Sequence, residues 1–304
     1  MNKVYLCTEH NEHFLKLLRQ QPLPDLKVTS SPSEANIVLG APPIVAPRLQ
    51  EFSELEWLQS SYAGVEALLG AAMRADYHLT NVKGIFGQLI SEYVIGYTIQ
   101  HFRHFICYQK QQNCGEWHPH HYQPLTGKRM LVLGTGSIGQ HLAHTASAIG
   151  MQVFGVNRTG IPVNESSFKD YYHIEELHCA ASNSDIIVNT LPATPDTKGL
   201  IDLTVLRACQ GALLFNVGRG NAIDEPALLT CLEEGNIQHA FLDVFDQEPL
   251  PAEHPLWSHS SVTVTPHIAA TSFPEQVFEV FRDNYTRWHQ GFSLNFLVNF
   301  DHGY

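Results

Sequence analysis

The chain has 304 residues, 44% of them apolar and 16% charged, with a formal net charge of −12. That length suits two domains of ordinary size, each with its own core. No Lys/Arg-rich run interrupts the acidity, which argues against nucleic acid as a main ligand, and no stretch is long and apolar enough to span a bilayer.

The opening MNKVYLCTEHNEHF lacks the apolar core of a secretory signal. Six cysteines (Cys7, Cys107, Cys114, Cys179, Cys209 and Cys231) are scattered without a C-x-x-C pair, the pattern of reduced thiols in a cytoplasm. Short apolar runs then alternate with helical patterns: VYLC, a helix near Glu12 to Gln20, NIVLG, LEWLQS, GVEALL and YHLTNV. Such alternation predicts a small parallel sheet. From about Gln88 to Gln112 the apolar residues, among them Ile90, Val94, Tyr97 and Phe102, recur at helical spacing and predict one long helix. NCGEWHPHHYQPLTGKR follows as a polar, aromatic connector outside the core.

A second αβ series starts at Met130. Strand MLVLG leads into a helix from Ile138 to Ile149, stopped by Gly150. The further strands are QVFGV, DIIVNT, ALLFNV, AFLDVF and VTVTP, and a last helix runs from Pro274 to Gln290. The expected organisation is α/β: two doubly wound parallel-sheet domains, the first from residues 1–98 and 274–304, the second from 99–273.

LVLGTGSIGQHLA sets Gly134, Gly136 and Gly139 as G-x-G-x-x-G between a strand and a helix. The first glycine allows the tight turn, the second admits a pyrophosphate to the backbone, and the third lets helix and strand pack closely. The helix N-terminus then offers free N–H groups to the phosphates. The next strand, expected beside the adenosine ribose, ends in Asn157, Arg158 and Thr159. An NAD-preferring site keeps a carboxylate there, which would repel a 2′-phosphate. Asparagine, arginine and threonine predict NADP(H) as the preferred cofactor, with NAD(H) possible; a guanidinium pairs with phosphate through two donors.

Three more strand ends carry chemistry: Arg219 in NVGRGNAID, Glu248 after Asp243 and Asp246 in FLDVFDQEPLP, and His267 in VTVTPHIAAT. An arginine that grips a carboxylate and polarises an oxo group, a histidine that delivers a proton, and a carboxylate that orients the ring are what 2-oxo-acid reduction needs. Any one of them alone is weak evidence, since the chain has 18 histidines.

From about Ser60 to Gln290 the chain resembles the D-isomer-specific 2-hydroxyacid dehydrogenases, through SSYAGVEAL, SEYVIGYTI, LVLGTGSIGQHLA, NTLPATPDTKGLI, NVGRGNAIDEPALL, LDVFDQEPLP and TPHIAAT, in the family's order. The resemblance implies a flavodoxin-like substrate domain and a Rossmann cofactor domain with a cleft between them. It assigns catalysis to Arg219, Glu248 and His267, and the substrate carboxylate to Ala63, Gly64 and Val65. Around the cofactor it places Gly134, Gly136, Ser137, Ile138, Gly139, Asn157, Arg158, Thr159, Leu191, Pro192, Thr197, Val217, Gly218, Asp243 and Ala269, besides Arg219 and His267. Ile90, just before Ser91-Glu92, would approach the nicotinamide, and Asp243 would meet its carboxamide. The resemblance also implies a homodimer joined through the cofactor domain, with GEWHPHHYQPLTG as the arm and Trp117 near the partner's site. His118, His120 and His121 are read as interface residues, and no metal is expected.

Short length and a basic ribose site look most like the glyoxylate/hydroxypyruvate reductase branch. The expectation is therefore a cytoplasmic enzyme that reduces a small 2-oxo acid to the D-2-hydroxy acid. Tyr62, Ile85, Phe86 and Trp257 are candidate pocket walls that would favour a small substrate. Two alternatives stay open: an NAD-dependent dehydrogenase for a bulkier 2-oxo acid, and a non-catalytic NAD(P)-sensing binding protein on the same fold.

Overall fold

The computed structural model describes residues 1–70, 73–162 and 166–300. The chain divides into two compact units: Met1–Ile85 together with the segment from Ser272, and Phe86–Thr271.

The first unit begins with β1 (Asn2–Cys7), α1 (Asn11–Gln20), β2 (Leu26–Val28), β3 (Ile37–Gly40), the short α2 (Pro42–Val45), β4 (Trp57–Ser60) and β5 (His78–Thr80). The second unit holds α3 (Gly87–Phe102), α4 (Phe105–Cys114), β6 (Arg129–Leu133), α5 (Ser137–Ala148), β7 (Gln152–Asn157), β8 (Asp170–His173), α6 (Leu177–Ser182) and β9 (Ile186–Asn189). It continues with α7 (Leu203–Ala208), β10 (Ala212–Asn216), α8 (Glu225–Glu234), β11 (Ile237–Leu242) and β12 (Val262–Val264). Helix α9 (Pro274–His289) returns to the first unit.

Among the described residues the first sheet runs β2-β1-β3-β4-β5 and the second β12-β11-β10-β9-β6-β7-β8. Every pairing is parallel. The first order is that of a flavodoxin-like sheet. The second is the dinucleotide-binding order extended by one strand, so the strand order reverses between β6 and β9. This is the expected pair of parallel α/β domains.

Buried parallel strands read as continuous apolar runs because helices cover both faces. In β6, Leu131 and Leu133 face one buried cluster with Phe154, Ile187 and Leu214. Met130 and Val132 face the other, with Leu142, Val188 and Phe215. Two partly exposed edge strands, β2 (LKV) and β8 (DYYH), carry no such signal and escape a reading by hydrophobicity. In the first unit Trp57, fully buried, stacks on Phe281 of α9 at 5.4 Å and donates from Nε1 to Thr80 Oγ1 at 2.8 Å. Asn284 Nδ2 donates to Gln59 Oε1 at 3.0 Å. These contacts fasten the last helix to the first sheet.

The structure revises two expectations. The boundary expected at residues 98 and 99 lies at 85 and 86 instead, because α3 packs in the second unit. Ile90 and Val94 sit in its buried cluster, Ser91 Oγ lies 2.9 Å from His141 Nδ1, and a Cβ on Gly87 would stand 2.6 Å from the His141 Cβ. The return to the first unit likewise comes at Ser272 rather than at 274. The single helix expected over 88–112 is two, since His104 takes a left-handed φ of 56° and its Nε2 meets the His121 carbonyl at 2.9 Å. Helix α4 buries none of its residues, and Trp117 in the following connector is 99% exposed. Among the described residues no helix is long and apolar enough to cross a membrane.

Candidate active site

Strand β6 leaves the second sheet where its order reverses. Gly134 has φ +100°, open to glycine and strained for other residues, and its N–H donates to the Val156 carbonyl at 3.0 Å. A Cβ on Gly139 would stand 2.0 Å from the Gly134 oxygen, so helix and turn touch backbone to backbone. Beside Gly136 a Cβ would meet nothing within 4 Å, and no side chain caps the N-terminus of α5. Ser137 and Ile138 open that helix. Glycine backbone, open space and uncapped N–H groups together fit a pyrophosphate.

The ribose end fits a phosphorylated nucleotide in charge. Position 157 is an amide rather than an acid, and Arg158 and Thr159 are exposed beside it. The Asn157 side chain turns inward on its own loop. Its Oδ1 accepts from Thr159 N at 3.0 Å and Gly160 N at 2.7 Å, and its Nδ2 donates to Thr135 Oγ1 at 3.3 Å and the Ile161 carbonyl at 3.0 Å. A carboxylate there would keep the acceptor bonds and set a negative charge against the Ile161 carbonyl.

Strands β9 and β10 end in a buried pair of amides. Asn189 Nδ2 donates to Asn216 Oδ1 at 2.9 Å, and Asn189 Oδ1 accepts from Leu191 N at 3.1 Å. Asn216 Nδ2 donates to the Arg219 carbonyl at 3.1 Å, and Arg219 Nη1 donates to the Gly218 carbonyl at 2.8 Å. Arg219 is half-buried, while Val217 and Gly218 are buried. Next along the chain, a Cβ on Gly220 would lie 1.8 Å from the Phe245 carbonyl carbon, so only glycine lets this loop touch the one after β11. In the loop after β9, Thr197 Oγ1 donates to the Pro192 carbonyl at 2.7 Å and accepts from Thr194 N at 2.9 Å, which closes the turn.

The loops after β11 and β12 meet in a histidine–carboxylate hydrogen bond. Glu248 Oε2 lies 2.8 Å from His267 Nδ1, and Glu248 Oε1 accepts from Phe245 N at 3.0 Å. The His267 side chain is 51% exposed and that of Glu248 35%, so the ring is open to a ligand. A carboxylate on Nδ1 keeps that nitrogen's proton in place and leaves Nε2 for proton exchange. His267 has φ +55°, a conformation that disfavours a side chain by about 1–2 kcal/mol. Asp243, 2% exposed, braces it from beneath. Its Oδ1 accepts from Thr265 Oγ1 at 2.6 Å and Ile268 N at 2.9 Å, its Oδ2 from Ala269 N at 2.9 Å, and its carbonyl from His267 N at 2.9 Å.

Ile90 is 3% exposed and sits in the same buried cluster as Ala269. In the first unit, Asn81 Nδ2 donates to the Ala63 carbonyl at 2.9 Å, while Ser60 Oγ accepts from Tyr62 N at 2.9 Å. Among the described residues the N–H groups of Gly64 and Val65 have no hydrogen-bond partner, nor do the buried Ser61 Oγ and Asn81 Oδ1. Tyr62 donates to Glu9 at 2.8 Å, and burial with that carboxylate pushes its phenol up to about 12. In the connector His120 Nε2 meets Cys107 Sγ at 3.3 Å and Gln111 Nε2 at 3.0 Å. Among the described residues no group of three or more His, Cys, Asp or Glu is placed to hold a metal ion.

Asn189, Asn216, Asn81, Thr265 and Tyr93 are absent from the residues that sequence reasoning selects. The two strand asparagines had a signal: one polar residue closing each of the apolar runs DIIVN and ALLFN. Tyr93 had none, since an aromatic at helical spacing reads as core.

The family model for the NAD binding domain of D-isomer specific 2-hydroxyacid dehydrogenases matches residues 95–269. A D-isomer specific 2-hydroxyacid dehydrogenase family protein from Aeromonas salmonicida subsp. salmonicida A449 is 42% identical, with 99% of each chain covered and a TM-score of 0.93. A D-isomer specific 2-hydroxyacid dehydrogenase from Xanthobacter autotrophicus Py2, solved with NADPH and MES, is 28% identical, with 100% of this chain and 99% of that one covered and a TM-score of 0.87. The fold alone is shared with an NADPH-dependent glyoxylate/hydroxypyruvate reductase from Sinorhizobium meliloti, solved with NADP and sulfate, at 24% identity, 100% of both chains and a TM-score of 0.87. The chain belongs to the D-isomer specific 2-hydroxyacid dehydrogenase family.

Proposed function

We propose that the chain reduces a small 2-oxo acid of the glyoxylate or hydroxypyruvate type to the D-2-hydroxy acid, with NADPH as preferred cofactor and NADH as a poorer one. The observation that carries this reading is the 2.8 Å contact between Glu248 and His267 Nδ1 on an exposed, braced ring. NADPH, when bound, supplies the hydride. His267 delivers a proton from Nε2 to the oxygen that was the oxo group, and Glu248 holds the ring in the orientation for that transfer. Arg219 draws charge from the oxo group and grips the carboxylate. By the family resemblance we also assign Ala63, Gly64 and Val65 of the first unit to a carboxylate.

The Gly134 turn and the N-terminus of α5 hold the pyrophosphate. Asn157 shapes the loop that presents Arg158 to a 2′-phosphate, and the NADPH bound by the 28% identical relative supports this choice. Asp243 Oδ2 accepts one bond in the structure and has a second lone pair for a carboxamide N–H. Leu191, Pro192 and Val217 border the cofactor. The small substrate rests on the basic ribose loop and on the fold shared with the Sinorhizobium meliloti reductase.

We read the exposed arm around Trp117 and the unburied α4 as the surface of a homodimer, and the six free cysteines as those of a cytoplasmic protein. The test is a panel of 2-oxo acids assayed with NADPH and NADH in parallel. The expected result is fastest turnover with glyoxylate or hydroxypyruvate and NADPH. Oxidation of neither cofactor across the panel would reject the enzyme in favour of a sensor.

A further inference from the structure

Tyr93 lies on α3, two residues after Ser91, and its hydroxyl reaches Thr265 Oγ1 at 2.7 Å. Thr265 has one hydroxyl proton, and the 2.6 Å bond to Asp243 Oδ1 takes it, because an ionised carboxylate only accepts. The phenol must therefore donate to Thr265. Burial pushes the Tyr93 phenol up, so it keeps that proton. The chain of donors runs one way, from Tyr93 to Thr265 to Asp243.

Asp243 in turn fixes both flanks of His267. Its carboxylate accepts from Ile268 N and Ala269 N on the far side, and its carbonyl accepts from His267 N at 2.9 Å. The Thr265 carbonyl also accepts from His267 N at 3.1 Å, so threonine binds the loop with its backbone and the aspartate with its side chain. A histidine at φ +55° persists only where its surroundings hold it there.

We propose that Tyr93 is a positioning residue for His267: its hydroxyl, through Thr265 and Asp243, sets the loop that aims the imidazole. This rests on the reading of His267 as proton donor. The phenol orders the threonine hydroxyl, and the aspartate carries that order to the loop. Hydrogen-bond chains in a partly desolvated site act as a unit, so losing one link weakens the others.

The experiment compares Tyr93→Phe, Thr265→Val, Thr265→Ser and the Tyr93→Phe/Thr265→Val pair in the full chain. Tyr93→Phe keeps the ring that packs edge-on against Tyr97 at 4.8 Å, so the fold is preserved. Three quantities are read: kcat at saturation, the Kd for NADPH by fluorescence titration, and the His267 imidazole signal in cofactor-free protein by NMR with 13C-labelled histidine, assigned with His267→Gln. Tyr93→Phe and Thr265→Val each lower kcat roughly fivefold to twentyfold, keep the NADPH Kd within about twofold, and move the His267 signal. The double variant is no worse than Thr265→Val, and Thr265→Ser retains most of the rate. An unmoved His267 signal in Tyr93→Phe, or losses that multiply in the double variant, would overturn the proposal. If His267→Gln retains turnover, the proton-donor reading fails by itself, and the NMR signal still decides whether Tyr93 sets the loop.

Discussion

Asn189 and Asn216 face each other at the ends of adjacent strands, with 2.9 Å from the amide of the first to the carbonyl of the second and almost no exposure to solvent. Each amide supports a different loop: Asn189 accepts from Leu191 N, and Asn216 donates to the Arg219 carbonyl. The pair ties the loop after β9 to the loop that carries Arg219. Replacing Asn216 by Leu leaves the Asn189 amide without its partner and the Arg219 carbonyl with only the 3.3 Å bond from Ala222 N. A stability loss of about 1–3 kcal/mol is expected in urea unfolding, with a fall in kcat/KM for the oxo acid. An unchanged unfolding midpoint would show that the pair does not hold the loops.

On the proposed reading Arg158 decides between the two nicotinamide cofactors, because only NADPH carries the 2′-phosphate. Arg158→Ala removes a charge-assisted hydrogen bond of about 1.5–3 kcal/mol, so kcat/KM for NADPH falls roughly tenfold to a hundredfold. The value for NADH stays near that of the parent. Steady-state assays with both cofactors check this, and equal losses would refute the 2′-phosphate assignment.

On the proposed mechanism His267→Ala removes the proton donor, and kcat is expected to fall by about 10²–10⁴ while NADPH still binds. Glu248→Gln keeps a hydrogen-bonding atom near Nδ1 but removes the charge, and a smaller loss follows. Single-turnover assays with a fluorescence measurement of cofactor binding separate the two effects. Near-normal turnover in His267→Ala would reject the role.

Much of this site was legible in the sequence because its chemistry sits at strand ends with glycines beside it. Gly134 and Gly139, Arg219, Glu248 and His267 each stand out by residue type and by their place after an apolar run. The supports were not legible. Asn157 reads in the sequence as a ribose contact, and its bonds to Thr159, Gly160 and Ile161, which shape the loop, show only in the structure. Thr265 and Asp243 bond across 22 residues, and Tyr93 lies 172 residues from Thr265, distances over which spacing says nothing. The domain boundary failed for a related reason: α3 is apolar on several sides, and only its packing, with Ile90 and Val94 in the second unit's buried cluster and Gly87 against His141, assigns it to that unit.

Acid should weaken the fold through a half-buried histidine pair between α3 and the second sheet. Burial holds His239 down from 6.5 to about 4, and the nearby His101 and His259 push the same way. His101, 5.8 Å from it ring to ring, is also lowered by burial. Both are therefore neutral in the fold at neutral pH and take up protons more readily once unfolded. Where the unfolded chain binds more protons, stability rises with pH. The contribution of His239 is thus complete above about pH 6.5 and is lost as pH falls toward 4. It amounts to at most about 3 kcal/mol, less after allowance for solvent reach. Its Nε2 lies 2.9 Å from Thr263 Oγ1, a bond that glutamine can replace without a titrating ring. His239→Gln is expected to keep most of the stability at pH 7.5 and to flatten the fall between pH 6.5 and 4. Urea unfolding midpoints across that range test it, and a variant as acid-sensitive as the parent would place the effect elsewhere.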